Sequence, residues 1–399
     1  MANFLYANAH SLFDYTNGGC KSIKLILEKL ATMGHHVYSV TSSVSNGDEG
    51  FKHSINLFNL EQISNDKADN RIIRIVKNGV SHSLVKTYSK DRLLLNSREQ
   101  EYIFREVQSI VSKKNIDIFI GWGNLLLEES IMKLVKHNNI LLCAYLVNPS
   151  YKGKNTYLLE ESDIVISDSK ATIKLYKDEV KVPIIIIPKL IDPIVVDYSS
   201  LKFSNSRFTC LFVNPLIKKG LEAFIKIASC IEKKNLPIDF ICINSNNSLF
   251  NELNKLCIPL DSLPKNIIFK DSVYDVDLLF KGVHLLLLPS LWHESGSRLI
   301  YEAYARGIPV MAFNTGGTPE LIGKFHENVF ESPKVYFDQN NILRIYNWDP
   351  NDFCKRISYI YKNYNQYSCD IKIYYDGLDL HDNQVKALNY LISKLDDFQ

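Results

Sequence analysis

Two hydrophobic periods alternate along this chain. Short, nearly unbroken apolar runs at 3–9, 36–41, 72–76, 116–120, 140–147 and 164–167 have the length and β-branched content of buried strands. Between them, apolar residues recur three and four apart. Over 21–33, Ile23, Ile26, Leu27 and Leu30 share one side of a predicted helix and Gly34 ends it. The stretch 96–113 also has a helical pattern. The pattern lapses over 193–207, which carries Ser199, Ser200, Ser204 and Ser206 and is predicted to be a linker. Strand-like runs resume at 208–213, 238–243, 266–269, 285–288 and 309–313, with a helix presenting Leu221, Phe224, Ile225 and Ala228. From 349 onward the chain is helical and rich in tyrosine.

Alternating strands and helices predict an α/β protein with a parallel sheet covered on both faces. With 399 residues, two domains are expected, the first Rossmann-like over 1–192 and the second over 208–380.

The densest chemistry lies in 289–320, PSLWHESGSRLIYEAYARGIPVMAFNTGGTPE. The run His284-Leu-Leu-Leu-Leu288 stops at Pro289 as a buried parallel strand does. After Glu294 the period becomes helical, with Leu299, Ala303 and Arg306 on one side and Gly307 closing the helix. Gly316-Gly317 then turn the chain into a helix start at Thr318-Pro319-Glu320. Such a strand–loop–helix unit aims the amides of 296–298 out of the carboxyl end of the sheet, where an anion is favoured. Arg298 adds a planar fork suited to phosphate oxygens. A rise of roughly 1.5 Å per helical residue puts Glu302 on the order of 10 Å from Glu294. One acid can hold a sugar on one side of a diphosphate while the other holds a ribose on the far side. Near the other end of the chain, Gly18-Gly19 open the first helix. They allow a close backbone approach to a phosphate or sugar, with a plain turn as the alternative.

These residues resemble the donor-binding signature of the retaining glycosyltransferases of family 4, which have the GT-B fold. Pro289, Ser290, Trp292, Glu294, Arg298, Glu302, Ala303, Gly307, Pro309, Val310, Gly316, Gly317, Pro319 and Glu320 match it in order. Three places depart from it. Gly296-Ser297 stand where the family has Phe-Gly, Asn214-Pro215 where it has Gly-Arg, and Lys189-Leu190 where it has Asn-Gly before Ile191-Asp192.

The resemblance implies two Rossmann-like domains facing across a cleft, 1–192 for the acceptor and 208–380 for the donor, with a last helix, 381–399, crossing back to the first. It implies a UDP- or GDP-linked sugar as co-substrate, no cofactor and no metal. Glu294 would position donor hydroxyls, and Lys219 and Arg298 would hold the diphosphate as the remaining catalytic groups. Donor-binding residues would be Gly18, Gly19, Asn214, Lys218, Val273 (in the base-holding segment 270–274), Ser295, Gly296, Ser297 and Glu302. Asn148 occupies the place of a histidine in the family. The acceptor would be a glycan, a lipid-linked molecule, a small molecule or a protein. A degenerate paralogue that binds a nucleotide or partner without turnover is the alternative, and an epimerase or hydrolase on the same fold is another. His293, beside Glu294, either contacts the donor or is structural, and the His35-His36 pair is predicted to belong to the helix-to-strand turn.

Charge narrows the partners. Lys and Arg total 46 against 44 Asp and Glu, so nothing argues for nucleic acid. The helix 96–114 mixes Arg98, Arg105, Lys113 and Lys114 with Glu99, Glu101 and Glu106, a solvated face that makes membrane association peripheral at most. The opening residues lack the basic-then-apolar order of a signal peptide. Eight cysteines without a C-x-x-C pair, Cys143, Cys210 and Cys242 among them, are expected to be reduced core thiols of a cytoplasmic protein.

Overall fold

The computed structural model describes residues 1–46, 71–147, 149, 151, 156–192, 194, 207–244 and 248–398. Asn148 and most of the expected linker lie outside the described residues. The chain divides into two compact units, Met1–Leu190 with Leu380–Gln399, and Ile191–Asp379.

The first unit is built on eight strands: β1 Asn3–His10, β2 His36–Val44, β3 Ile72–Lys77, β4 Val80–Val85, β5 Ile118–Gly121, β6 Leu141–Leu146, β7 Ile164–Ser167 and β8 Ile184–Ile186. Their order is β3-β4-β2-β1-β5-β6-β7-β8. All neighbours run parallel, as expected, except the edge pair β3–β4, which is antiparallel. Asn78 and Gly79 stand at φ 48° and 80° and fold β3 back on β4 in a two-residue turn.

Successive residues of each strand enter opposite cores, and so the strands look continuously apolar. Phe4, Tyr6, Ile118 and Ile120 pack with Ile23, Leu27 and Leu30 of helix Gly18–Thr32. Leu5, Ala7, Phe119 and Leu142 pack with Ile103 and Val107 of helix Ser97–Lys113 and with Ile131 and Val135 of helix Leu126–His137. The terminal helix Leu380–Phe398 joins the first of these cores through Leu388 and Leu391, and Gln384 Nε2 donates to Pro188 O at 3.0 Å.

The second unit holds a wholly parallel sheet of β9 Phe208–Val213, β10 Ile238–Asn244, β11 Ile267–Asp271, β12 Leu285–Leu288, β13 Val310–Phe313 and β14 Val329–Phe330. Its order is β11-β10-β9-β12-β13-β14. Phe212, Phe224 and Phe240 centre its core, which helices Asn351–Lys362 and Tyr364–Asp376 close through Phe353, Ile357 and Ile371. A separate antiparallel ribbon pairs β15 Val335–Phe337 with β16 Leu343–Ile345. Cys143, Cys210 and Cys242 are buried and unpaired; burial raises their thiols, that of Cys242 to about 12.

The strand order switches direction between β1 and β5 in the first unit and between β9 and β12 in the second. Loops at such a switch point diverge to opposite faces and leave a crevice at the carboxyl ends of the strands.

Candidate functional site

In the second unit, three loops leave the carboxyl ends of the adjacent strands β9, β12 and β13. Glycines lock them together. Gly220, at φ 91°, lies so close to the next loop that a Cβ would fall 1.8 Å from Pro289 O. Leu291 N donates across the same join to Lys218 O at 3.0 Å. On the other side, Gly317 N donates to Glu294 O at 2.7 Å, and a Cβ on Gly316, at φ 57°, would fall 1.9 Å from that oxygen. The backbone of Glu294 is thus clamped by the β13 loop. Gly296 stands at φ 150°, a conformation essentially confined to glycine. The shifted glycine is therefore required where this chain has it.

The side chains of this crevice are paired with one another. Glu294 forms an ion pair with Lys219 and accepts from Ser290 Oγ at 2.9 Å. Lys218 Nζ lies 5.1 Å from the centre of the Trp292 ring, a cation–π contact. Arg298, 5% exposed at the start of the helix Arg298–Tyr304, donates through Nη2 to Glu302 Oε1 at 3.1 Å. The same Nη2 lies 3.6 Å from Asp192 Oδ2. The fork predicted to face phosphate is instead buried against two carboxylates, because the four-residue spacing stacks Arg298 and Glu302 on one helix face. Arg306 is buried as well, bonded to Asp277 and, through Nη1, to Glu302 O at 2.7 Å. Burial lowers the pKa of His293, against the opposing pull of Glu294, and favours the neutral ring.

The other predicted residues of the second unit lie on the same carboxyl edge. Ser295 and Gly296 are buried, and Ser297 precedes the short helix without capping it through its side chain. Val273 follows β11, two strands out from β9, and is half-buried. Asn214 ends β9 at φ 66°, and its Oδ1 is buried without a hydrogen-bond partner in the chain. Thr315 Oγ1, at the end of β13, is buried and unpartnered too. Buried polar atoms normally have partners. Two orphans on the strands flanking β12 therefore mark where polar groups of a ligand can enter. Thr315 escaped sequence reasoning, because only the neighbouring glycines carry the motif.

At the switch point of the first unit, Asn17 Oδ1 accepts from Gly19 N at 3.0 Å and Cys20 N at 3.2 Å and so caps helix Gly18–Thr32. A Cβ on Gly19 would lie 2.9 Å from the Trp122 ring. The amide predicted to meet a phosphate or sugar thus serves the cap, and the missing side chain makes room for an indole. Sequence reasoning missed the dyad beside it. His10 Nε2 lies 2.7 Å from Asp14 Oδ2, and Asp14 also accepts from Thr16 N at 2.9 Å and Asn46 N at 2.8 Å. Burial raises the Asp14 carboxyl, but His10 and these donors outweigh it and hold the pKa below the usual value. The available signal was a His and an Asp four apart at the end of a strand.

Residues 207–363 match the family model Glycosyl transferases group 1. A stretch of 148 residues is 32% identical to spore coat protein SA of Bacillus subtilis and covers 33% of this chain and 38% of that protein. Over their full lengths, this chain and a sucrose-phosphate synthase from Thermosynechococcus elongatus superpose with a TM-score of 0.67 at 12% identity, 100% of each being covered. The TM-score is 0.64 at 13% identity with HepE of Anabaena, solved in complex with UDP and glucose, covering 98% of this chain and 100% of that one. The match to glycosyl transferases group 1 falls within the second unit, and the chain has the GT-B fold.

Proposed function

We propose that the protein is a glycosyltransferase that moves a sugar from a nucleoside-diphosphate sugar to an acceptor hydroxyl, with retention at the anomeric carbon and without a metal ion. One observation carries this reading: Lys219 and Glu294 are paired at the switch point of a group 1 domain, within a frame that glycine contacts hold rigid. A diphosphate would displace Glu294 from Lys219, and the freed carboxylate would take donor hydroxyls. Charge growing on the leaving diphosphate is then met by a fixed cation. Asn214 and Thr315 would supply polar contacts, and Arg298 would act through Glu302 by fixing the carboxylate that receives the ribose. Attack on the face the leaving group departs from, with a diphosphate oxygen taking the acceptor proton, gives retention without a glycosyl-enzyme. The eight unpaired cysteines suit the reducing cytoplasm.

UDP is the first probe to use, since HepE was solved with UDP and glucose. Calorimetry with UDP and release of UDP from UDP-glucose separate the roles. Glu294→Gln should keep UDP affinity or raise it, because a competing anion is gone, yet cut turnover on the order of a hundredfold. Lys219→Ala should lower both. Turnover should survive EDTA. Normal turnover in Glu294→Gln would remove this residue from the sugar end of the site, and full rescue of an EDTA-silenced enzyme by magnesium would overturn the metal-free mechanism.

A further inference from the structure

The turn that follows β4 exposes an unusual amount of apolar surface. Tyr88 is 83% exposed, Leu93 69% and Leu94 71%. The turn is nonetheless held in place. Glu99 accepts from Tyr88 N at 2.6 Å, Ser89 N at 3.1 Å and Asn96 N at 3.1 Å. Asp91 Oδ1 accepts from Leu93 N at 2.9 Å, and Ser89 Oγ donates to Leu94 O at 2.9 Å, joining the two ends. Two leucines and a tyrosine fixed in water need a cover. Between 86 and 98 the chain carries Lys86, Lys90, Arg92 and Arg98 against one acid, Asp91; Lys86 and Arg92 are half-buried, and the charge of Arg92 is felt by the buried Glu128. Arg71 adds its guanidinium 5.9 Å from the Tyr88 ring centre. Lys90 and Arg98 are exposed beside the leucines. Because β4 runs parallel to β2 and β2 to β1, the turn opens on the carboxyl edge that carries His10, Gly18 and Trp122.

We infer that residues 86–98 dock the protein on an anionic lipid surface, the leucines and Tyr88 entering the interface and the cations resting on headgroup charge. Apolar tips ringed by Lys and Arg suit such a bilayer: insertion removes the apolar area from water, and anionic headgroups complement the charge. Among the described residues no helix is long and apolar enough to cross a membrane, so the attachment is interfacial. Resting on the glycosyltransferase reading, the acceptor class follows as a lipid-linked hydroxyl presented at that edge.

Flotation of the full chain with vesicles tests this. Vesicles of phosphatidylcholine with a third phosphatidylglycerol should bind it at least tenfold more tightly than phosphatidylcholine alone, and less tightly in high salt. The variant L93S/L94S should lose about tenfold with an unchanged melting temperature, and K90E/R98E should lose the preference for phosphatidylglycerol. No vesicle binding, or binding indifferent to L93S/L94S, would overturn the inference. So would a dimer in light scattering that L93S/L94S dissociates, which would assign the patch to a second copy. UDP affinity measured on the same variants stays independent: UDP binding without vesicle binding removes the docking surface alone, and vesicle binding without UDP binding removes the enzymatic reading instead.

Discussion

Glu302 shows how one acid serves fold and site together. Its carboxylate takes the buried guanidinium of Arg298, and its carbonyl takes Arg306, so two arginines on adjoining turns define its position. In the proposed reaction the same carboxylate receives ribose hydroxyls. Glu302→Ala should therefore weaken UDP binding by roughly ten- to a hundredfold, the equivalent of losing one charged hydrogen-bond partner at about 1.5–3 kcal/mol. It should also lower the melting temperature, because Arg298 stays buried while the closer of the two carboxylates beside it is lost, leaving the more distant Asp192. Calorimetry beside thermal unfolding separates the two effects. Unchanged UDP affinity in a folded variant would remove Glu302 from the ribose end.

Elements whose apolar period is unbroken were legible in the sequence; those held by polar contacts were not. Strands β1, β2, β5, β6 and β7 and the glycine-closed helix after Glu294 follow their patterns within a few residues. β4, VSHSLV, was missed because Ser81, His82 and Ser83 look like a polar loop. Inside, His82 Nδ1 lies 2.7 Å from Ser39 Oγ, and Ser83 Oγ donates to Glu106 at 2.8 Å. The Asn-Gly turn before it was the readable clue. The orientation of Arg298 was equally hidden, since residue type names a phosphate ligand and a buried helix salt bridge alike.

Burial, with Lys24 and Lys77 nearby, lowers the pKa of His82 to about 3, so the native state keeps the ring neutral where the unfolded chain protonates near 6.5. Its contribution is full above that value and falls by up to about 1.4 kcal/mol per pH unit as pH drops below it. Denaturant midpoints of the first unit should follow this slope between pH 6.5 and 4, and His82→Gln should flatten it. An equal slope in both proteins would assign the acid sensitivity elsewhere. Gly316→Ala places a Cβ on Glu294 O, whereas Gly282→Ala, also at positive φ, meets nothing within 4 Å. Gly282→Ala should cost only the backbone strain of about 1–2 kcal/mol. Gly316→Ala should cost clearly more and abolish UDP binding, as urea unfolding and calorimetry would reveal; equal costs would show that the β13 loop yields.

At the scale of the whole molecule, the chain order interleaves the two units: the first begins at Met1, the second is inserted, and the last helix returns to the first. That return was legible only through family resemblance, since an amphipathic terminal helix does not name the face it will cover. Leu388 and Leu391 are fully buried on the sheet face that also holds Phe4, Tyr6 and Ile120, and Gln384 pins the helix to Pro188. The second unit has its own core, closed by helices Asn351–Lys362 and Tyr364–Asp376, and among the described residues none after Asp379 belongs to it. Loss of the terminal contacts should thus destabilise one unit and spare the other. Leu388→Ala with Leu391→Ala should remove on the order of 5 kcal/mol from the first unit, since buried Leu→Ala changes cost about 2–5 kcal/mol each. Calorimetric unfolding should then resolve an early transition that UDP does not move and a later one that UDP still raises. If the double variant instead lowered the UDP-responsive transition by the same amount, the second unit would depend on the terminal helix and the division of labour drawn from the cores would fail.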